Sequence, residues 1–357
     1  MKKHFYFFRP GKLYRKDNTI CYEPSVEVPA DEDENLQEQI LLSSNDSPRL
    51  IDSTQRTVIP IQEIDSIFIF ADVLFNSRFI EFAASNYIPI HMFNFFGRYK
   101  GTFYPINESY SGTFILKQCS FYLKYSRRIV IARKIIKAAS HNIIKNISRY
   151  SAKSPVLQEK IDEIKSLVAS IDNAVYTSQL MGIEANIRKI YYSTFNYFID
   201  SEIKFTKREF HPPTDPMNSL ISFSNALVYS AVISEIYRTQ LNPFISFLHE
   251  PGDNRFSLAY DIAEIFKPLL ADRIIFKLLN NGSIRLEHFE YRDGGCFVNP
   301  TGRKIIVKEF DSRLNKTIFH RKIKHNVSYR RLIRLECYNL VSHIKKEKEY
   351  EPFKIWW

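Results

Sequence analysis

Cysteine is scarce in this sequence of 357 residues, and the spacing of its few copies excludes several kinds of protein. Cys21, Cys119, Cys296 and Cys337 lie far apart, and no two of them form a CxxC pair. Disulfide-bonded frameworks and sites built from paired cysteines need much closer spacing. We therefore expect ordinary reduced thiols.

Export and membrane signals are also missing. In the N-terminal sequence MKKHFYFFRP, Arg9 and Pro10 end the apolar run well short of the apolar region of a signal peptide. Residues 217–234 carry no charge and are long enough to resemble a membrane span, but Asn and Ser recur throughout them. A buried core helix fits that composition better. We predict a cytoplasmic protein that has no membrane contact.

Acidic residues are absent from one long stretch, although the whole chain has 50 Lys and Arg against 39 Asp and Glu, a formal charge of +11. Residues 109–158 contain neither Asp nor Glu. Apolar residues recur there every three or four positions, which predicts one long helix from Lys117 to Arg149. Its other face would carry the cations, among them Arg127, Arg128 and Lys134.

A helix face of one sign favours a polyanion such as DNA as the partner. The alternative is a helix that needs charge only for solubility, although such helices usually mix signs. Residues 303–334 form a second basic stretch. We interpret it either as a nucleic-acid surface or as a basic tail end.

Two kinds of periodicity divide the chain near residue 105. Short aromatic and β-branched segments predict strands at 4–8, 19–23, 56–61, 66–70 and 88–93, with a short helix at 76–85. Residues 29–54 are acidic and polar, which predicts a loop or a partly disordered insertion between strands. After residue 110 helical spacing dominates as far as residue 274.

Aromatic and β-branched residues return at 294–319 together with Gly and Pro, which predicts a small β-hairpin beside the helices. The expected fold class is therefore α+β. We expect a strand-rich domain at 1–105 and a larger α-helical domain at 106–357.

Residues that could hold a metal ion occur in three separate segments. Asp261 and Glu264 are three positions apart where apolar residues have helical spacing, so both acids should share one helix face. Glu184 begins a similar amphipathic run, and His249 precedes the acid pair in the chain. Carboxylate oxygens and one imidazole nitrogen suit Mg²⁺ or Mn²⁺. Taken from spacing alone, acids three apart on a helix usually form a solvated face, and a lone histidine is more often a core or capping residue than a ligand.

The sequence around these positions resembles the CRISPR spacer-acquisition integrase family over nearly the whole chain. The resemblance is carried by QLMGIEANIRKIYY (179–192), PPTDPMNSLISFSNALVY (212–229), PFISFLHEPGDNRFSLAYDIAEIFKPLLADR (243–273), YRRLIRLECYNLVSHI (329–344) and YEPFKIWW (350–357). The family's catalytic Glu falls on Glu184, its His on His249, and the last acid of its DxxD or DxxE motif on Glu264. The departures are small: Ala185 stands where many members have Gly, Ser219 where Ala is common, and Glu264 where some members have Asp.

This resemblance implies an N-terminal β-sandwich-like domain that serves dimerisation, followed by an all-α catalytic domain. It implies that Glu184, His249 and Glu264 are both the catalytic residues and the ligands of Mg²⁺ or Mn²⁺, and that no nucleotide cofactor is needed. Asp261 matches the first acid of the motif, and we expect it to lie behind the ligands or on the substrate side.

Four further polar residues lie in or near these segments. Asn218 matches a position of the family motif, and we expect it to hold the catalytic helices together by hydrogen bonds. Asp215 before Pro216 predicts a helix N-cap. Arg188 and Lys189 are candidates for contact with DNA phosphates, and Arg188 alternatively pairs with Glu184 four positions earlier.

The reaction that the resemblance implies is a transesterification, in which the 3′-OH ends of short foreign DNA fragments are joined into a CRISPR repeat. The implied partners are double-stranded DNA as prespacer and repeat, a second copy of the chain in a homodimer, and a small ferredoxin-like protein that bridges two dimers. One alternative is a metal-dependent nuclease that acts on branched or single-stranded DNA in repair and uses water as the nucleophile at the same three residues. The other alternative is a non-catalytic DNA-binding scaffold.

Overall fold

The chain, as a computed structural model, is described for residues 2–25, 49–52, 54–94, 96–106, 109–209, 212–253 and 255–356. The described residues form two compact units, one within 1–106 and 307–312 and the other within 107–306 and 313–357. The first unit is rich in strands and the second is mainly helical. The α+β class with its strand-rich N-terminal part is therefore confirmed.

The strand-rich unit contains short strands and a helix. Its described elements are β1 (Lys3–Phe7), β2 (Gly11–Lys16), β3 (Thr19–Pro24), β4 (Arg49–Ile51), β5 (Thr57–Pro60), β6 (Ile64–Ile69), β7 (Val73–Phe75), α1 (Ser77–Ser85), β8 (Ile90–Phe93) and β9 (Tyr99–Phe103). Strands β1, β3, β5, β6 and β8 and helix α1 lie where the residue pattern predicts them. Strands β2, β7 and β9 were not predicted.

The strands form two sheets. The larger has the order β4-β1-β6-β8-β9, parallel except for the β8–β9 pair, and the smaller has the order β5-β3-β2-β7, antiparallel except for the β2–β7 pair. Alternate residues of both sheets point into a shared apolar core. Its members include Phe5, Phe7, Ile67 and Ile69 of the larger sheet, Leu13, Ile20 and Tyr22 of the smaller sheet, and Phe79 and Phe82 of α1.

The predicted acidic insertion at 29–54 falls mostly on residues 26–48 and 53, which lie outside the described residues. The loop interpretation is wrong at its end, because Arg49–Ile51 forms β4 and pairs in parallel with β1. A strand of three residues is too short to show a period of two, so the polar stretch before it dominated the prediction.

The helical part of the chain begins after residue 110. Its helices are α2 (Gly112–Leu123), α3 (Tyr125–Ser148), α4 (Pro155–Ser170), α5 (Thr177–Ser193), α6 (Phe195–Phe198), α7 (Pro216–Ile236), α8 (Ser257–Phe266), α9 (Arg273–Asn280), α10 (Pro300–Asn315) and α11 (Tyr329–Ile344). The prediction of one helix from Lys117 to Arg149 is wrong, because Lys124 has an extended backbone (ψ 95°) between α2 and α3. Neither Pro nor Gly lies beside this break, so the apolar repeat does not reveal it.

The predicted β-hairpin at 294–319 is also wrong, because α10 occupies most of that range. Two hairpins flank the helix instead: β10 (Phe289–Arg292) pairs with β11 (Gly295–Val298), and β12 (Thr317–His320) pairs with β13 (His325–Ser328). The first turn is Asp293-Gly294, and both residues have positive φ (52° and 73°). Asp-Gly is a strong two-residue hairpin signal, and it places the first hairpin before α10.

Helix α7 is a core helix with a well-defined start. The side chain of Asp215 accepts a hydrogen bond from the Asn218 N–H at 2.9 Å, and Pro216 occupies the first helical position, so the predicted N-cap is confirmed. By length and composition α7 could cross a membrane, but 83% of its most apolar 18-residue stretch is buried inside the structure.

A widened turn connects α8 to α9. Residues Pro268–Asp272 form a π-helix, in which the N–H of Asp272 donates to the carbonyl of Lys267 at 3.1 Å. Pro268 has no N–H with which to continue the α-helical pattern. This turn brings Asp272 into the interior, where the residue is 1% exposed.

Candidate active site

Helices α5 and α8 bring Glu184 and Glu264 to the same guanidinium group. Arg188 lies one turn after Glu184 on α5, and its Nε donates to Glu184 Oε1 at 3.1 Å while its Nη2 donates to Glu264. Lys267 lies one turn after Glu264 and donates from Nζ to Glu264 Oε1 at 2.5 Å. The two acids predicted from separate segments therefore converge, each next to a cation on its own chain segment.

The two carboxyl groups differ in their electrostatic surroundings. Burial and the charge of Glu264 raise the pKa of Glu184. Burial also opposes ionisation of Glu264, but the charges of Lys267, Arg188 and His249 outweigh it and hold the pKa of Glu264 below its usual value. Glu264 is therefore the carboxylate that these cations keep ionised.

His249 lies in the loop before α8 and is oriented by Asp261. The Nδ1 of His249 is 2.8 Å from Asp261 Oδ1, and the same carboxylate accepts the backbone N–H groups of Phe247 (2.6 Å), Leu248 (2.9 Å) and His249 (2.9 Å). Burial lowers the pKa of His249, but the hydrogen bond and charge of Asp261 raise it by more. In the neutral ring this contact places the proton on Nδ1 and leaves the Nε2 lone pair available.

Asp261 therefore lies behind His249 as a positioning residue. It is fully buried on α8, and its two oxygens are occupied by one imidazole and three amides. His249 and Glu264 lie close enough for the charge of each to shift the pKa of the other. The structure thus brings His249 into the electrostatic neighbourhood of the carboxylate pair.

Arg128 holds the His249 loop, and the expectation that it lies on an exposed cationic face is wrong. Its side chain is 7% exposed, its Nε donates to the Phe247 carbonyl at 2.9 Å, and its Nη2 donates to Glu250 at 2.6 Å. The apolar repeat separates the two faces of α3 but does not show which cations of the polar face meet another segment. Arg128 therefore fixes the loop on both sides of His249.

The other predicted DNA-contacting residues occupy varied positions. Arg127 stacks over the ring of Phe121 at 4.9 Å, and Lys134 donates to the Tyr350 carbonyl at 2.9 Å. Lys189 is exposed on α5, whereas Arg188 is buried and pairs with both acids. Contacts of these side chains with DNA stay predictions.

Asn218 makes its hydrogen bonds with the segment that precedes α7. Its Nδ2 donates to the Lys207 carbonyl at 2.8 Å, and its Oδ1 accepts from the Glu209 N–H at 3.1 Å and from Arg208 at 2.9 Å. The expectation that Asn218 joins the catalytic helices is therefore wrong. The family resemblance marked the position, but it did not identify the partners.

Three residues near the site were not predicted. Lys267 follows Glu264 by three positions, and that spacing could have indicated the pair. Gln118 of α2 donates to the carbonyls of Asn242 (3.0 Å) and Ile245 (2.8 Å) and so anchors the start of the His249 loop. The buried position of Asp272 depends on the π-helix at Pro268–Asp272, which the apolar periodicity of the sequence does not predict.

Two carboxylates and an imidazole nitrogen are a donor set that suits Mg²⁺ or Mn²⁺. Among the residues that the structure describes, however, no group of three or more His, Cys, Asp or Glu side chains is arranged as a metal site. The guanidinium of Arg188 bonds to both acids instead. The chemistry of the donors fits a divalent ion, and the guanidinium is the group that such an ion would have to replace.

This chain is similar to proteins described as Cas1. The family model "CRISPR associated protein Cas1" matches residues 36–312. The "CRISPR-associated endonuclease Cas1 3" of Thermodesulfovibrio yellowstonii is 40% identical over 99% of this chain and 100% of its own length. The "CRISPR-associated endonuclease Cas1" of Fusobacterium nucleatum is 38% identical over 100% and 98%. The solved structure of a CAS1 protein from Thermotoga maritima has 34% identity and a TM-score of 0.81, and the match covers 99% of this chain and 100% of that one.

Proposed function

This chain belongs to the CRISPR-associated Cas1 family, and from that membership we propose that it is a metal-dependent DNA integrase of CRISPR adaptation. It joins the 3′-OH ends of short foreign DNA fragments into the CRISPR repeat by transesterification. The observation that carries the proposal is the convergence of Glu184 and Glu264 on one buried guanidinium.

Glu184, Glu264 and the Nε2 of His249 would hold Mg²⁺ or Mn²⁺. When bound, such an ion would offset the negative charge that develops on the phosphodiester oxygens and would orient the attacking hydroxyl. Asp261 supports this role of His249, because in the neutral ring its hydrogen bond keeps the proton on Nδ1, leaves the Nε2 lone pair free for the ion and fixes the ring.

The surrounding residues keep the site rigid. Arg128 and Gln118 bind the backbone of the loop that carries His249, so the imidazole is positioned from two sides. Lys267 stays beside Glu264 and offsets its charge while the site is empty of substrate. Positioning of this kind lowers the barrier to reaction because less freedom has to be lost in the transition state.

The proposal includes three partners that the family resemblance implies. These are double-stranded DNA as prespacer and repeat, a second copy of this chain, and a small ferredoxin-like protein that bridges two dimers. The net charge of +11 supports a polyanionic partner. We propose that the reaction takes place in the cytoplasm.

A second candidate activity is endonucleolytic cleavage of DNA at the same site. The curated relatives described above carry the name endonuclease, and water in place of a 3′ hydroxyl would turn joining into hydrolysis. Branched or single-stranded DNA would then be the substrate. The two activities differ in whether a free 3′ hydroxyl is incorporated into the product.

Strand transfer into a supercoiled plasmid with a CRISPR repeat tests the proposal. A labelled duplex with 3′-OH ends should be joined only when Mg²⁺ or Mn²⁺ is added, and a duplex with 3′-deoxy ends should not be joined. Glu184→Ala and His249→Ala should abolish joining, whereas Glu163→Ala on the exposed face of α4 should not. Cleavage without joining would favour the nuclease, and metal-independent joining would contradict the proposal.

A further inference from the structure

Two of the three guanidinium nitrogens of Arg188 donate hydrogen bonds, one to each glutamate, and the third has no partner among the described residues. Its Nε and Nη2 bind Glu184 and Glu264, whereas its Nη1 is buried and has no hydrogen-bond partner among the described residues. A buried N–H group without a partner destabilises the protein unless another arrangement can satisfy it. Arg188 is thus incompletely satisfied where it lies.

A matching acceptor lies nearby in the π-turn after α8. The side chain of Asp272 is buried, and its Oδ2 also has no hydrogen-bond partner among the described residues. Burial and, after it, the charge of the same carboxyl group raise the pKa of Tyr191. Asp272 is among the acids whose charge acts on Arg188. An unsatisfied donor and an unsatisfied acceptor therefore lie within electrostatic range of each other.

The charges of the two glutamates are matched by two cations. Glu184 and Glu264 provide two carboxylates, and Arg188 and Lys267 provide two cations. A divalent ion that entered this group would place two further positive charges beside a guanidinium in a poorly hydrated site. Repulsion there is much stronger than in water, so Arg188 has to leave before the ion can bind well.

We infer that Arg188 is an internal placeholder cation, which holds Glu184 and Glu264 together until a divalent ion binds and then transfers its guanidinium to Asp272. The inference rests on the proposed function, since it requires both glutamates to be metal ligands. Arg188 and Asp272 are positioning residues in this scheme, because neither touches the reacting atoms. The exchange lowers the affinity for the metal but keeps the apo site folded.

The exchange is tested by measuring the affinity of the full chain for Mn²⁺ by calorimetry in the absence of DNA. Arg188→Met removes the competing cation and should tighten Mn²⁺ binding at least tenfold, or about 1.4 kcal/mol. Arg188→Lys, which keeps the charge but cannot bridge both acids, should tighten it less. Lys165→Met, an exposed lysine on α4, is the matched control and should leave the affinity unchanged.

Asp272 provides the second half of the test. Asp272→Asn should weaken Mn²⁺ binding about tenfold when Arg188 is present, because the displaced guanidinium loses its acceptor. The same substitution in the Arg188→Met background should have no effect. Equal effects in both backgrounds, or unchanged or weaker binding by Arg188→Met, overturn the inference.

Thermal melting separates misfolding from a change in affinity. Arg188→Met leaves two buried carboxylates without their shared cation, so it should melt at a lower temperature than the wild type in EDTA and regain stability in Mn²⁺. If Arg188→Met does not fold, the other two variants still test the inference: Arg188→Lys should tighten Mn²⁺ binding and Asp272→Asn should weaken it.

Glu184→Gln distinguishes the inference from the function on which it rests. Mn²⁺ binding that is lost in Glu184→Gln but is not tightened by Arg188→Met overturns the placeholder role alone. Mn²⁺ binding that is absent in every variant, or is insensitive to Glu184→Gln, removes the proposed metal site and the placeholder role together.

Discussion

Buried carboxyl groups in the helical unit are bound either by cations or by neutral hydrogen-bond donors. Glu184 and Glu264 are bound by the long cationic side chains of Arg188 and Lys267. Glu336 of α11 is bound by neutral donors: its Oε1 accepts from the Tyr350 hydroxyl at 2.5 Å and its Oε2 accepts from a backbone N–H at 2.8 Å.

The two environments shift the pKa in opposite directions. Burial raises the pKa of Glu336 to about 7, whereas the neighbouring cations hold the pKa of Glu264 low despite its burial. Glu336 is therefore readily protonated, because burial outweighs its hydrogen bonds to the two donors. The charges of the cations around Glu264 keep that acid ionised.

The largest effect should come from Glu264→Gln, which removes one charge from the cation-bound group. If Glu264 is a ligand, strand transfer should fall about a thousandfold or more, equivalent to roughly 4 kcal/mol of transition-state stabilisation. The initial rate of joining measures this loss. Glu163→Gln on α4 serves as the control, and near-wild-type joining by Glu264→Gln would remove Glu264 from the ligand set.

Glu336→Gln should change the stability of the protein rather than its activity. The pKa of Glu336 is raised on folding from 4.5 to about 7, so its contribution to stability is complete below the unfolded value and is lost as the pH rises through 7. The loss approaches about 3 kcal/mol. Glu336→Gln should lack this part of the pH dependence.

Urea unfolding at pH 5 and pH 8 measures the difference for Glu336→Gln. Glu347→Gln, an exposed acid after α11, should retain the wild-type pH dependence. An equal decline in stability for the wild type and Glu336→Gln between these pH values would show that Glu336 does not titrate as stated.

Asp261→Asn tests an acid that shares a helix with Glu264 but resembles Glu336 in its donors. The amide can still accept hydrogen bonds at one atom, but its NH₂ group faces backbone N–H groups. Joining should fall about tenfold to a hundredfold, as is typical when a group that orients a metal ligand is changed. Asp253→Asn in the exposed part of the same loop is the control. A loss as large as that of Glu264→Gln would place Asp261 among the ligands.

The smallest expected effect is a difference in stability between substitutions of two adjacent cations of α3. Arg128→Gln should lower the free energy of unfolding by about 1 to 2 kcal/mol, because the Phe247 carbonyl and Glu250 lose their donor. Arg127→Gln should change it by less than about 0.5 kcal/mol. Thermal or urea unfolding checks both values, and equal effects would show that Arg128 is not an anchor.

The parts of the molecule that the residue pattern predicts are those with regular periods. Helix α8 follows from helical apolar spacing, which also places Asp261 and Glu264 on one helix, and strand β6 follows from its aromatic and β-branched residues. The convergence of Glu184 with Glu264 does not follow from spacing, since it depends on how α5 packs. The family resemblance supplied that connection.

Other features depend on single residues or on contacts distant in sequence. The break at Lys124 has no Pro or Gly to mark it, and the π-turn before Asp272 follows from one missing N–H at Pro268. Arg128 looks like any surface cation until the loop that it binds is known. Periodicity averages over such positions and therefore cannot detect them.

The carboxylate of Asp261 has a consequence for hydrogen exchange. Three successive amides, those of Phe247, Leu248 and His249, donate to this one buried group although they lie outside any helix or strand. Each can exchange with deuterium only when the carboxylate separates from the loop, which also frees the imidazole. These amides should therefore exchange as slowly as those of the core helices, and their protection should report directly on whether His249 is in position.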